Sequence, residues 1–215
     1  MKSERKYLNQ YSSTQSKTQK GYSWFMFFQK RVIDLTLSSL LLISTSPVIL
    51  YTIYRITKES SGSILFKQSR VGLNGENFTC YKFRSMHENM ELNPYTEDDD
   101  PRIFPFGRIM RKMRIDELPQ LWNVIKGDMH LIGPRAEWDI LANKYEKIIP
   151  KYKQRHFVKP GITGLAQVSY PYGRNIFDAQ QKLGYDLDYI ENWSIWLEFK
   201  IVWKTAVVVF GKRGV

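Results

Sequence analysis

Residues 114–122 read RIDELPQLW and place two adjacent carboxylates, Asp116 and Glu117, between a basic run and a Leu-Pro step. Two chemistries fit that spacing. An acid followed three residues later by Pro119, then by LWNVIKG with its glycine stop, reads as the N-cap and first turn of a helix. The same placement keeps a carboxylate charged, through backbone donors, the helix dipole and the nearby cations Arg111, Lys112 and Arg114. A helix start is also where phosphate binds. An ionised Asp116 facing a bound phosphoryl group can attack it and form an acyl phosphate, while Glu117 can hold a magnesium ion that neutralises the leaving charge. Capping carboxylates are far commoner than nucleophiles, so on residue types alone both readings stand.

Phosphate chemistry needs cations, and two further segments supply them. The run KGDMHLIGPR, 126–135, ends in Gly133-Pro134-Arg135, a rigid turn that presents an Arg fork suited to phosphate oxygens, while Asp128 serves the Gly127 turn. Upstream, ILFKQSRV (64–71) and NFTCYKFR (77–84) are strand-like and flank GLNGE, whose Asn74-Gly75 favours a tight hairpin turn. That hairpin would project Lys67, Arg70, Lys82 and Arg84. Cys80, the chain's single cysteine, reads as a small buried residue in its second strand.

The elements that must position these groups are coarser. From Phe106 to Lys126 the pattern is helical with an interruption near Asp116, and KPGITG (159–164) reads as a turn. Residues 88–101 are polar and acidic, end in EDDDP, and read as a loop. Between 186 and 210 apolar positions recur near helical spacing, with Trp193, Trp196 and Trp203 beside Lys200 and Lys204. Such a helix suits a membrane interface, and core packing of the same tryptophans fits the period equally. His87, His130 and His156 are too scattered for a metal site or triad and read as structural or surface residues.

Residues 32–54, VIDLTLSSLLLISTSPVILYTIY, form an apolar run long enough on paper to cross a bilayer. Three features oppose a simple span. Asp34 is costly there unless it stays at headgroup level or pairs with Lys30 or Arg31. Ser46-Pro47 breaks the interior, since proline lacks a donor and clashes with the carbonyl four residues back. Both flanks are basic, with Lys30 and Arg31 before and Arg55, Lys58, Lys67 and Arg70 after, which favours both ends on the cytoplasmic side. Arms of about 15 and 8 residues, roughly 22 and 12 Å, suit a re-entrant hairpin in one leaflet. A secretory signal fits poorly, because the run is too long and Ser44-Thr45-Ser46 precedes a proline without a cleavage site.

The 215 residues suffice for one ordinary domain without disulfides. Thirty-two Lys and Arg against twenty-one Asp and Glu give a formal charge of +11, which predicts an anionic partner. Residues 1–20 have too little apolar content to pack, and their charge suits an anionic leaflet. The expected organisation is a flexible basic arm to residue 29, a re-entrant segment over 30–56 and a cytoplasmic catalytic domain over 57–215. Its class is α+β, mainly helical, with a β-hairpin and interfacial amphipathic helices.

Taken in order, KRVID before an apolar segment with an internal Ser-Pro, then YKFRSM, IDELPQLWNVIKGDMHLIGPR and VKPGITGLAQV, make the chain resemble the monotopic phosphoglycosyl transferases of the bacterial sugar transferase family, from Lys30 to the C-terminus. It resembles their small form, which lacks a preceding bundle of transmembrane helices. The resemblance implies transfer of a sugar 1-phosphate from a UDP-sugar to polyprenyl (undecaprenyl) phosphate, with release of UMP, at the cytoplasmic face of the bacterial inner membrane. It implies Asp116 as the nucleophile that carries the phosphosugar, Glu117 as a magnesium ligand, Lys82 and Arg135 as phosphate contacts and Asp186 as a further functional acid. Ser46 and Pro47 match the break of the re-entrant helix. On the same reading Arg84 and Arg114 join the substrate cations, and Lys30 and Arg31 lie near the lipid phosphate. Ala136 after GPR and Leu165 after KPGITG depart from the family's usual proline and tryptophan.

Two other readings are weaker. The Asp-x-Asp within EDDDP occurs in some metal-dependent glycosyltransferases, but nothing upstream reads as the βαβ unit they need, so replacing Asp98 should spare activity. A nucleic-acid binder would use the charge without placed carboxylates, and the apolar segment favours acidic phospholipid instead. The sugar and the glycan pathway are not legible, and a homodimer is left open.

Overall fold

The computed structural model describes residues 24–87, 100–170 and 175–211. The basic arm to residue 23 and most of the acidic loop, Asp98 included, lie outside the described residues.

The apolar run folds as two helices, α1 (Trp24–Ser44) and α2 (Ser46–Glu59), bent by 59° at Thr45. Pro47 has no N–H for the carbonyl of Ile43, and the Ser46 hydroxyl donates to that carbonyl instead, at 2.7 Å. Ser44 and Thr45 hydroxyls donate to the Leu41 carbonyl at 3.1 and 2.6 Å. The break is thus satisfied locally and needs no other element. The arms are 21 and 14 residues, longer than expected, because WFMFFQKR before the apolar run and RITKE after it continue the helices. Among the described residues no single helix is long and apolar enough to cross a membrane, while the bent pair together meets that length and composition.

The polarity of α1 is inverted. Lys30, Asp34 and Ser38, spaced four apart, are buried, whereas Val32, Ile33, Leu37, Leu40, Leu41 and Ile43 are exposed. Asp34 does not pair with Lys30 or Arg31. It accepts from the His130 ring and, at 3.1 Å, from the Leu131 backbone. Lys30 pairs with Glu198, and Arg31 donates to the carbonyls of Val124 and Ile125 at 2.5 and 2.6 Å.

Strands β1 (Leu65–Val71) and β2 (Asn77–Phe83) form the expected antiparallel hairpin, with Phe66 opposite Lys82. Its turn, Gly72–Glu76, is wider than a two-residue one, and Asn74 and Gly75 take positive φ of 57° and 86°. Cys80 is buried in β2. Helix α3 (Pro105–Lys112) follows, then a single 3-10 turn, Ile115–Glu117, and helix α4 (Gln120–Lys126), which stops at Gly127 with φ 95°. One buried cluster of Ile56, Phe83, Phe104, Phe106 and Met110, flanked by Ile115 and Leu118, packs α2, the hairpin and α3 around the turn. Glu59 of α2 also accepts from the backbone N–H of Phe106 at 2.8 Å, fixing the start of α3.

A second pairing was not expected. KPGITG is not merely a turn: Gly161–Thr163 is a strand, β4, parallel to β3 (His130–Ile132). Its glycines permit close backbone approach, since a Cβ on Gly161 would lie 2.1 Å from the Gly133 nitrogen and one on Gly164 2.1 Å from the Gly133 oxygen. Helix α5 (Asp139–Ile148) packs on β1, and α6 (Leu165–Ser169) precedes α7 (Ile176–Glu191) and α8 (Ile195–Phe210). The 186–210 pattern is therefore two helices. Its tryptophans divide: Trp193 is half-buried and donates to Glu198 at 2.8 Å, while Trp196 and Trp203 are 78% and 73% exposed. The whole is mainly helical with a small antiparallel hairpin.

Candidate active site

Asp116 and Glu117 lie not at a helix cap but in the 3-10 turn that precedes α4, whose first position follows Pro119. The chain enters the turn through Arg114 in a left-handed conformation, φ 59°, a cost of about 1–2 kcal/mol for a residue with a Cβ. That reversal aims Arg114 back over the acids. Neither carboxylate caps a helix, so the first expectation for them fails on geometry, and burial replaces the dipole as the dominant influence.

Three cations converge on one oxygen, Oε1 of Glu117: Arg135 at 2.7 Å, Lys82 at 3.0 Å and Arg114 at 3.6 Å. Each comes from a different element. Lys82 is delivered by β2 across from Phe66, and Arg114 by its own turn. Arg135 is delivered by the Gly-Pro turn, whose Pro134 carbonyl accepts from Gly161 N–H at 2.8 Å. Ala136, where the family usually has proline, is engaged in the fold. It is packed with Val124 and Met129, and its carbonyl accepts from Arg70.

Burial pushes Glu117 upward, but the attraction of Arg135, Lys82 and Arg114 outweighs it and holds the carboxyl well below its usual range. Asp116 moves the other way. Burial, opposed by Lys82 and reinforced by the charge of Glu117, raises its carboxyl above the ordinary value. Burial also lowers Lys82, against the pull of Glu117. Asp116 Oδ1 is buried and has no hydrogen-bond partner among the described residues. The site thus holds one firmly ionised acid locked by cations and one acid with an idle oxygen.

Among the described residues no group of three or more His, Cys, Asp or Glu could hold a metal ion. Magnesium needs less protein than that, commonly one or two carboxylates with substrate phosphates and water completing its shell. All three cation contacts fall on Oε1 of Glu117, so its second oxygen is the ligand position that this donor set offers.

The other expected residues lie elsewhere. Arg84 is buried and donates to the Ser60 hydroxyl and to the carbonyls of Ser60 and Ser61, binding the hairpin to the end of α2. Lys30 and Arg31 are taken up by Glu198 and the end of α4, so no charge of theirs is turned toward Asp116. Asp186 is buried behind Arg135. It pairs with Arg155 at 2.8 Å, and Arg155 donates to the Arg135 carbonyl at 2.8 Å and to the Tyr152 hydroxyl at 2.6 Å.

Arg155 and Asn123 were not foreseen. Asn123 is wholly buried, donates to the Thr79 carbonyl at 2.7 Å and accepts from Tyr81 N–H at 3.1 Å, which clamps α4 to β2 beside Lys82. An amide inside the apolar run LWNVI was the one available signal.

The bacterial sugar transferase profile matches residues 25–212. Over 86% of this chain and 45% of its own length, the UDP-N-acetylgalactosamine-undecaprenyl-phosphate N-acetylgalactosaminephosphotransferase of Aeromonas hydrophila is 42% identical. The uncharacterized sugar transferase EpsL of Bacillus subtilis is 41% identical over 86% of this chain and 89% of its own length. The undecaprenyl-phosphate galactose phosphotransferase of Salmonella typhimurium is 39% identical over 87% and 41%. The chain therefore spans less than half the length of the first and third of these relatives. With the profile covering nearly all of it, and the carboxylate turn, the hairpin lysine and the Gly-Pro arginine assembled in one site, this chain belongs to the bacterial sugar transferase family.

Proposed function

We propose that this protein transfers a sugar 1-phosphate from a UDP-sugar to undecaprenyl phosphate, as the names of its relatives suggest, through a covalent phosphosugar on Asp116. The observation that carries this reading is the idle, buried Oδ1 of Asp116 beside an acid already saturated by three cations. Lys82, Arg114 and Arg135 outnumber the charge they face, so the site has positive potential left for a diphosphate. Oδ1 attacks the sugar-bearing phosphorus, the bond to the bridging oxygen breaks, and UMP leaves with the electron pair. An oxygen of undecaprenyl phosphate then attacks the same phosphorus and releases Asp116. Magnesium held by Glu117 and the donor's phosphates would shield the leaving charge.

The lipid acceptor sets the setting. The bent α1–α2 pair, apolar outward and polar inward, suits re-entry into one leaflet of the bacterial inner membrane, with residues 57–215 on the cytoplasmic face. Exposed Trp196 and Trp203 beside Lys200 suit the headgroup region of anionic phospholipid. The product would begin a bacterial surface glycan.

Purified protein is incubated with UDP-glucose, UDP-galactose and UDP-N-acetylgalactosamine, and the peptide containing Asp116 is weighed. One donor is expected to add a phosphosugar mass that undecaprenyl phosphate then removes. No adduct with any donor, together with no UMP release when the lipid is present, overturns the mechanism.

A further inference from the structure

A second idle atom lies one turn beyond the first. Gln120 is 3% exposed, and its Nε2 is buried with no hydrogen-bond partner among the described residues. A buried amide donor left unpaired costs about 1–3 kcal/mol, so its persistence calls for an explanation. Local structure offers a partner that is not used. The 3-10 turn that carries Asp116 leads into α4 through Leu118 and Pro119, both right-handed at φ −53° and −61°, and the N–H groups of Leu121 and Trp122 bond three residues back, to Leu118 and Pro119, at 3.0 and 3.1 Å. Gln120, the first residue of α4, thus follows Asp116 by little more than one turn of chain. The acceptor Asp116 Oδ1 and the donor Gln120 Nε2 therefore lie about one turn of chain apart at this junction, both buried and not bonded to one another.

A group placed between an idle acceptor oxygen and an idle donor nitrogen must present an electrophile to the first and a lone pair to the second. A phosphoryl group does both. Resting on the proposed phosphosugar transfer, we infer that Gln120 is a catalytic residue whose side-chain amide donates to a non-bridging oxygen of the phosphoryl group under attack by Asp116. As the bond from Oδ1 to phosphorus forms and the phosphorus–oxygen bond to UMP breaks, charge gathers on the equatorial oxygens. The amide stabilises it without exchanging a proton. Lys82, Arg114 and Arg135 are already aimed at Glu117, so Gln120 supplies a neutral donor at the reacting phosphorus itself. The same donor serves the second step, because undecaprenyl phosphate attacks the same centre.

The test is Gln120→Met, which keeps length and volume and deletes the donor. Removing an unpaired buried amide should leave Tm unchanged or higher, whereas a structural amide would lower it. With the UDP-sugar that labels the wild-type protein, the single-turnover rate of adduct formation should fall about 100-fold, the size of an oxyanion donor's contribution, with KM within a few-fold. Adduct formation within threefold of wild type overturns the inference. So does a fall in Tm, which would mean that the amide is bonded within the fold, and that measurement needs no donor. Failure of the wild-type protein to form any adduct counts against the transfer reaction instead, and so separates the two conclusions.

Discussion

Glu117 and Glu198 are both buried, and each gathers three contacts on its Oε1, yet they sit in regions built for different ends. Around Glu198 the partners are one cation, Lys30, and two neutral donors, the Tyr189 hydroxyl and the Trp193 indole, both at 2.8 Å. One charge meets one charge, and the two further contacts add none. The result joins α1, α7 and α8 in a charge-balanced cluster. Around Glu117 all three partners are full cations, and its neighbour Asp116 keeps an oxygen idle. A closed cluster holds a fold together, whereas an unbalanced one keeps positive potential to spare. Burial by itself does not distinguish them, but charge balance does.

The comparison is most sharply broken at Glu117. Glu117→Gln leaves the half-buried Lys82, Arg114 and Arg135 facing one another without the buried acid that they share, so stability should fall by about 3 kcal/mol and UMP release should drop by more than about 100-fold. Denaturant unfolding and a coupled UMP assay measure both. A stable, active variant would mean that the cation ring does not depend on its acid.

Glu198→Gln should separate the two properties. It strands the buried Lys30 ammonium and costs about 3 kcal/mol, while kcat of the folded fraction stays within about threefold. Adding Lys30→Met should recover most of the lost stability. Loss of kcat in a folded Glu198→Gln protein would show that this cluster belongs to the site after all.

Asp116→Asn should abolish the adduct and yet stabilise the chain. Burial raises the Asp116 carboxyl above its unfolded value, so the unfolded chain ionises first as pH rises, and stability is lost between the two values and stays lost above them. Asparagine has no such penalty, and a gain of about 1 kcal/mol, or about 2–4 °C in Tm, is expected at neutral pH. Thermal melts check the sign.

The smallest effect is on the pH profile. On the proposed mechanism Asp116 must be ionised to attack, so the acid limb of adduct formation should lie above the ordinary aspartate range. Gln120→Met should leave that limb in place, whereas Lys82→Met, which removes a charge opposing the shift, should move it to higher pH. An acid limb at an ordinary aspartate value would place Asp116 in a more open site than the fold gives it.

Much of this was legible in the residues because it is local. The hairpin follows from alternation around Asn74-Gly75, the stop of α4 from Gly127, and the bend of the first helices from Ser46-Pro47, where a missing donor and a nearby hydroxyl act within one turn. Lys82 and Arg135 could be named as phosphate contacts from the family resemblance, and Arg114 as a cation near the acids, although not as three contacts to one atom. Other features were hidden because their partners are distant in sequence. Lys30 and Glu198 are 168 positions apart, and Asp34 and His130 are 96 apart. No period or motif pairs them, so Lys30, Arg31 and Arg84 read as free cations when their charges are already engaged in the fold. KPGITG read as a turn because the strand it joins is only three residues long, with Gly161 and Gly164 both required by the distant backbone of Gly133.

By itself, the sequence determined which side chains could carry phosphate chemistry, where helices break and which surface is apolar, since those depend on residue type and near neighbours. Only the tertiary structure decided which cations gather on Glu117, that Asp116 is buried rather than capping a helix, and that Asp186 pairs with Arg155, because electrostatic balance is settled by whatever the fold brings within a few ångströms.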